Sequence, residues 1–252
     1  MKQIAGGVCA ATGFSASGVH CGIRKNKTKR DLALIYSSVP ASAAAVYTTN
    51  LVKGAPLVVT KQHLADGKAQ AIICNSGNAN TCNADGIAVA EEMSALTAAA
   101  LHIAPQDVIV ASTGVIGQPL DLAPIRTGLP QLAAALGDHS DQAAEGIMTT
   151  DTQPKEIAVQ YTFNMVSVDG DTSTNDMVAV LANGLAGNTE ITAPGADFTA
   201  FCRALNSVTV WLCRRIAGDG EGATRLIECC VTGAEDHATA KTVAKSIVCS
   251  SL

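Results

Sequence analysis

The chain has 252 residues, 48% hydrophobic, 15% charged and 3% aromatic, with a formal net charge of −5. Such a length and apolar content suit one large domain or two modest ones and exclude a disordered chain. The acidic balance, relieved only by the short run Lys25, Lys27, Lys29 and Arg30, gives no case for a nucleic-acid partner.

The 9 cysteines are odd in number and form no Cys-x-x-Cys pair, which reads as free thiols in a reducing compartment. Cys74, Cys229 and Cys230 lie in apolar runs and read as small buried thiols. The 5 histidines are scattered, so no metal and no cofactor are expected. Met1–Ala5 has no apolar core of a signal peptide, and Ser37, Pro40, Ser42 and Thr48 interrupt the uncharged stretch from Leu32 to Val52. A cytoplasmic protein with no membrane partner is expected.

In chain order, residues 1–30 are Gly-rich and irregular, with possible short strands. Asp31–Tyr36 and Ala43–Thr49 read as two strands joined by a turn at Pro40. Pro56–Thr60 reads as another short strand, followed by a helical turn over His63–Asp66. Ala69–Cys74 is a strand, and the Ala-rich stretch Ile87–His102 a long helix. Val108–Ala111 is a β-branched run that reads as a buried central strand. Helices are expected over Pro124–Leu136 and Ser140–Met148, then a strand over Glu156–Tyr161. Asp176–Asn183 reads as a helix, Phe198–Ile216 as a long helix, Thr224–Val231 as a strand and Asp236–Ile247 as a final helix. Without strict βαβ alternation, this mixture gives an α+β class or a layered sandwich. The best break lies between Gly184 and Ala196, dividing a main domain, 1–185, from 186–252.

Three apolar runs end in polar turns: Ala71–Cys74 in Asn75-Ser76-Gly77-Asn78-Ala79-Asn80, Val108–Ala111 in Ser112-Thr113-Gly114, and Val166–Val168 in Asp169–Asp176. Rigid strands that deliver hydroxyls and backbone N–H groups are places for chemistry, and these ends are expected to converge on one pocket. Three uses compete on the residues alone. Gly218–Thr224 has the glycines of an anion loop, but two acids and no P-loop Lys. Thr113 and Gly114 can serve an oxyanion in acyl transfer, with hydroxyls from Thr149, Thr150 and Thr152, a cation from Lys155 and an acid from Glu221. The third use is plain turn satisfaction by Thr and Asn side chains.

Asn75–Asn80, Ala111–Gly117, Met148–Lys155, Val168–Asp176, Asp219–Thr224 and Gly18–Arg24 occur in an order that resembles the bifunctional ornithine acetyltransferase / N-acetylglutamate synthase family of arginine biosynthesis. The resemblance spans nearly the whole chain. It implies transfer of acetyl from N-acetylornithine to glutamate through an ester on a threonine. The family's precursor cuts itself before that threonine, whose new amine then acts as base. By motif, Thr113 and Gly114 would form the oxyanion hole, and Thr152 and Glu221 would contact the substrate. The implied fold is an αββα-type layered sandwich with a smaller second α/β domain, of which 186–252 would be part. The implied partners are small molecules, N-acetylornithine and glutamate; acetyl-CoA use is left open, and an oligomer is expected of a complete protein.

The sequence departs from the family pattern after the Pro154-Lys155 strand. The family carries there a Lys-Gly-x-Gly-Met stretch and a Pro-Asn-Met-Ala-Thr-Met cleavage site. Here Glu156–Tyr161 runs directly into Thr162–Val166, so the nucleophile and a substrate-contacting Lys are absent. The Ala-Thr pairs at Ala11-Thr12, Ala223-Thr224 and Ala238-Thr239 lack the cleavage context. The family also continues beyond the position of Leu252. The fold is therefore expected to be incomplete, and the alternative to an acetyltransferase is an inactive remnant that at most binds an amino-acid ligand.

Overall fold

A computed structural model describes residues 2–160, 173–220 and 223–248. Among them are strands β1 (Lys2–Ile4), β2 (Phe14–Val19), β3 (Leu32–Tyr47), β4 (Lys68–Asn78), β5 (Val108–Val115), β6 (Ala158–Gln160) and β7 (Met177–Ala182). The helices are α1 (Ala55–His63), α2 (Gly86–Leu101), α3 (Ala123–Ala134), α4 (Ser140–Gly146), α5 (Ala196–Gly218) and α6 (His237–Val248). Val166–Val168, Asp169–Thr172, Thr162 and Glu221 lie outside the described residues.

A mixed five-stranded sheet runs in the order β2-β3-β4-β5, with β7 paired to the far half of β3. β4 and β5 are parallel, and the remaining pairs are antiparallel. Strand alternation sends Leu32, Leu34, Ala71, Ile73, Val108 and Val110 into one apolar core with Met93 of α2 and Ile125, Leu129 and Leu132 of α3. The opposite face carries Ala16 and Ala33, packed on Ala143 of α4. Small residues allow that helix to approach closely: a Cβ on Gly146 would lie 3.1 Å from the Leu32 carbonyl oxygen. A two-stranded sheet, β1 with β6, lies apart from the large one. The α+β class is thus the observed one.

Several local expectations are overturned. The two strands around Pro40 are one 16-residue strand, β3, irregular between Tyr36 and Ala41. An exposed Pro in an irregularity removes no ladder bond, so the chain continues straight through. That length lets β3 serve β2 with its first half and β7 with its second.

Pro56–Thr60 is helical within α1, not a strand. Pro56 stands in the first turn, where its fixed φ suits a helix and no N–H is needed. Asp176–Asn183 is the reverse case: Met177–Ala182 is strand β7, because pairing with Ser42–Tyr47 favours the β-branched Val178 and Val180. Thr224–Val231 forms no strand and pairs with none of the described strands. Of Glu156–Gln160, Ala158–Gln160 is in strand β6, and Tyr161 lies outside the described residues. Cys230 is exposed and Cys229 half-buried, so neither is a core thiol.

The run expected to be central, β5, is an edge strand of the sheet among the described residues. Its outer backbone groups are satisfied by side chains instead of by a neighbour. His63 Nδ1 lies 2.8 Å from the Val108 carbonyl. The Thr60 hydroxyl donates to the Val110 carbonyl at 2.8 Å and accepts from the Val110 N–H at 2.9 Å. Asn175 Nδ2 donates to the Ser112 carbonyl at 2.7 Å. The Thr60 and His63 contacts dock α1 along the strand, and together with Asn175 they satisfy edge groups of β5.

Candidate active site

The β4 and β5 ends leave the core side by side. Asn75 is the register partner of Ser112, Ser76 of Thr113 and Gly77 of Gly114. The two glycines touch through their backbones. A Cβ on Gly114 would sit 2.4 Å from the Gly77 carbonyl carbon, and Gly114 has φ +132. Only a residue without Cβ fits that conformation and that approach. Gly114 is exposed and Thr113 half-buried, so rigid strands present both at the surface.

The third polar segment joins them. Asn175 Nδ2 donates to the Ala79 carbonyl at 2.8 Å as well as to Ser112. The Thr81 hydroxyl donates to Asn175 Oδ1 at 2.8 Å, and the Thr174 hydroxyl does so at 2.6 Å. Asn78 Nδ2 reaches the Gln118 carbonyl at 3.0 Å and pins the loop that follows Gly114. The described parts of these three segments thus meet, while Val166–Val168, the strand of the third, lies outside the described residues. The apolar hollow lined by Tyr36, Leu101, His102 and Pro130 lies elsewhere, at the far end of α2.

A fourth segment enters beneath β4. The Ser76 hydroxyl donates to the Gly146 carbonyl at 2.6 Å and fixes the end of α4. The chain then leads into Thr149–Lys155. There Thr152 is clasped by Asp219 at the end of α5. The Asp219 carboxylate accepts from the Thr152 N–H at 3.0 Å, from the Thr152 hydroxyl, and from Lys155 Nζ at 2.5 Å. Lys155 Nζ also donates to Asp151. Burial works against the Lys155 charge, but the bonds to Asp151 and Asp219 outweigh it and raise its pKa. Lys155, followed by the Thr152 hydroxyl, holds the Asp219 carboxyl well below the usual carboxylate range. Asp151 is also lowered: burial opposes its charge, and the Lys155 bond overcomes that. Lys155 is thus engaged by two carboxylates.

The last segment is the motif at 18–24. Asp31 is fully buried, and its carboxylate accepts from the N–H groups of Cys21 at 2.7 Å, Gly22 at 3.2 Å and Arg24 at 3.0 Å. This wraps the loop around one carboxylate and lays the Arg24 side chain on Gly77, where a Cβ would meet Arg24 Cγ at 2.8 Å. Among the described residues no group of three or more His, Cys, Asp or Glu could hold a metal.

The matches to known proteins decide the lineage. The chain matches the ArgJ family over residues 15–162 and again over 156–252. The chain belongs to the ArgJ family. The arginine biosynthesis bifunctional protein ArgJ of Symbiobacterium thermophilum is 42% identical over 306 aligned positions, covering 100% of this chain and 76% of that relative. The ArgJ of Shouchella clausii is 39% identical, covering 100% of this chain and 74% of its own length. Among solved structures, ArgJ of Bacillus halodurans is similar with a TM-score of 0.57 and 35% identity, over 77% of this chain and 96% of that one. Ornithine acetyltransferase of Mycobacterium tuberculosis, solved in complex with ornithine, has a TM-score of 0.59 and 32% identity, over 77% of this chain and 98% of that one. The ArgJ alignment with the Symbiobacterium relative is longer than this 252-residue chain, so several dozen of its positions have no counterpart here.

Of the expected ArgJ site residues, the structure brings Thr113 and Gly114 together with the Asn75–Asn80 turn, and Thr152 together with the Asp219 motif. Glu221 lies outside the described residues. Asp219, Asn175 and Asp31 had no role assigned from the sequence. Their signal was only that each sits in or beside a shared motif.

Proposed function

We propose that this chain carries the site of a glutamate N-acetyltransferase, which moves acetyl from N-acetylornithine to glutamate in arginine biosynthesis. The carrying observation is the Gly77–Gly114 contact, which fixes Thr113 and Gly114 at the open end of two rigid parallel strands. The two-residue alternation of a strand puts the Gly114 N–H on the same outer edge as the capped groups of Val110 and Ser112. With the Thr113 hydroxyl it makes a pair of donors for an acetyl oxyanion. Thr152 and Glu221 take the substrate-contacting roles.

In that reaction a threonine hydroxyl attacks the acetyl carbonyl of N-acetylornithine. The tetrahedral oxyanion collapses, the C–N bond breaks, and ornithine leaves with a proton on its amine. The amine of glutamate then attacks the threonine ester and releases the hydroxyl. The attacking threonine belongs to the segment that this chain lacks. The two ArgJ matches meet at 156–162, the place where the motif order skips, and this supports the omission of that segment. The crystallised ornithine complex is covered over 98% of its length by 77% of this chain, whereas the Symbiobacterium relative is covered over 76% of its length. That contrast in length supports a family whose precursor becomes two chains. We assign 1–185 to the main domain and 186–252 to part of the second. We further assign a cytoplasmic location and an oligomeric state to the complete protein.

The missing segment favours a second reading, a remnant that binds an amino-acid ligand without turnover. Acetyl transfer from N-acetylornithine to glutamate, assayed on the 252-residue chain with intact mass in parallel, separates the two. Turnover with an acetylated chain establishes the enzyme and a substitute nucleophile. Ornithine binding with no turnover and an unmodified mass establishes the remnant. Neither turnover nor binding overturns both.

A further inference from the structure

We propose that Arg24 is the anchor for the substrate's α-carboxylate. The inference rests on the acetyl-transfer reading above and adds a residue to it.

Arg24 Nη2 is buried and has no hydrogen-bond partner among the described residues. A guanidinium N–H removed from water without an acceptor is costly, and it is tolerated where an acceptor arrives with a ligand. The neighbouring acid does not supply one. Asp31 binds the backbone N–H of Arg24 and of two further residues, and leaves the guanidinium alone. Arg24 makes no ion pair among the described residues, unlike Arg30, Arg126, Lys155 and Arg214.

Its position fits the chemistry. The stem lies against Gly77, and Gly77 lies against Gly114. The Arg24 stem and the residue that carries the proposed oxyanion donor therefore share one neighbour, Gly77. N-acetylornithine and glutamate differ in their side chains but share an α-carboxylate. In both, that carboxylate sits on the carbon bearing the nitrogen that loses or gains the acetyl group. A single carboxylate anchor beside the oxyanion donors would register both substrates with the same nitrogen at the reacting carbon. The planar guanidinium fork matches a carboxylate in a way that a Lys ammonium does not. Lys155, the other cation placed among the shared motifs, is already shared between Asp151 and Asp219.

The test is calorimetric titration of the intact chain with N-acetylornithine and with its α-carboxamide. The anchor predicts that the acid binds about ten- to hundredfold tighter than the amide, the scale of one charge-assisted bond. Arg24→Met abolishes that preference, and Arg24→Lys, which keeps the charge and the stem, restores part of it. A preference that survives in a folded Arg24→Met chain places the anchor elsewhere and overturns the proposal while leaving the function standing. If Arg24→Met does not fold, a full preference in Arg24→Lys is the overturning result. If neither ligand binds, the acetyl-transfer reading fails for this chain, and acetate titrated against the Arg24 Nε–H resonance decides the anchor alone. A saturable shift upholds a carboxylate receptor; an unmoved resonance overturns it.

Discussion

Thr60 closes both backbone bonds of Val110, donating to its carbonyl at 2.8 Å and accepting from its N–H at 2.9 Å. One fully buried hydroxyl thus makes both of the bonds that a neighbouring strand would make at Val110. Thr60→Val keeps the shape and removes the hydroxyl, leaving two buried groups unpaired. It is expected to cost about 2–4 kcal/mol, read from the urea midpoint, while Thr60→Ser costs clearly less. Equal losses in the two variants would show that packing, not the paired bonds, docks α1.

Gly114→Ala combines a φ of +132 with a Cβ 2.4 Å from the Gly77 carbonyl carbon. The expected loss is about 3 kcal/mol in thermal unfolding. Gly117→Ala is the control. It has φ +76 but nothing within 4 Å of its Cβ, so only the conformational cost of about 1 kcal/mol remains. Similar losses at both sites would mean that the two strands separate easily at their ends.

The Asp219 clasp sets a pH window for the Thr152 loop. Asp151 and Asp219 are lowered from 3.8, so their contribution is complete above that value and is lost as pH falls through the lower folded one. Lys155 is raised from 10.5, so its contribution is complete below that value and is lost as pH rises through the higher folded one. Hydrogen-exchange protection of the Thr152 amide, corrected for intrinsic rate, should stay flat between these limits. Asp219→Asn should lower it throughout. Protection that varies steeply near neutral pH would point to a different titrating group.

Burial pushes the Cys74 thiol up to about 12, so at pH 8 only roughly one molecule in ten thousand carries the thiolate there. Cys82, exposed on the turn after Asn80, should take up iodoacetamide in the native state while Cys74 stays unmodified until the chain unfolds. Native labelling of Cys74, read by peptide mass, would show that β4 opens locally.

The sequence by itself determined the helices rich in strong helix formers, α2 above all, and the order of polar motifs that marks the ArgJ lineage. Those features are local: propensity, a cap or a turn decides each within a few residues. It also marked Thr113 and Gly114, because a hydroxyl and a glycine at a strand end carry a meaning that needs no partner. Only the tertiary structure decided what depends on a neighbour. Pro56–Thr60 became a helix because Thr60 and His63 cap the edge of β5. Met177–Ala182 became a strand because β3 extends past Pro40 to pair with it. Asp219 meets Thr152, Asn175 meets Ser112 and Arg24 lies on Gly77 across separations that no local pattern encodes. Hydrogen bonds and close contacts are satisfied in space, whereas periodicity and propensity act along the chain, and the site is assembled from the former.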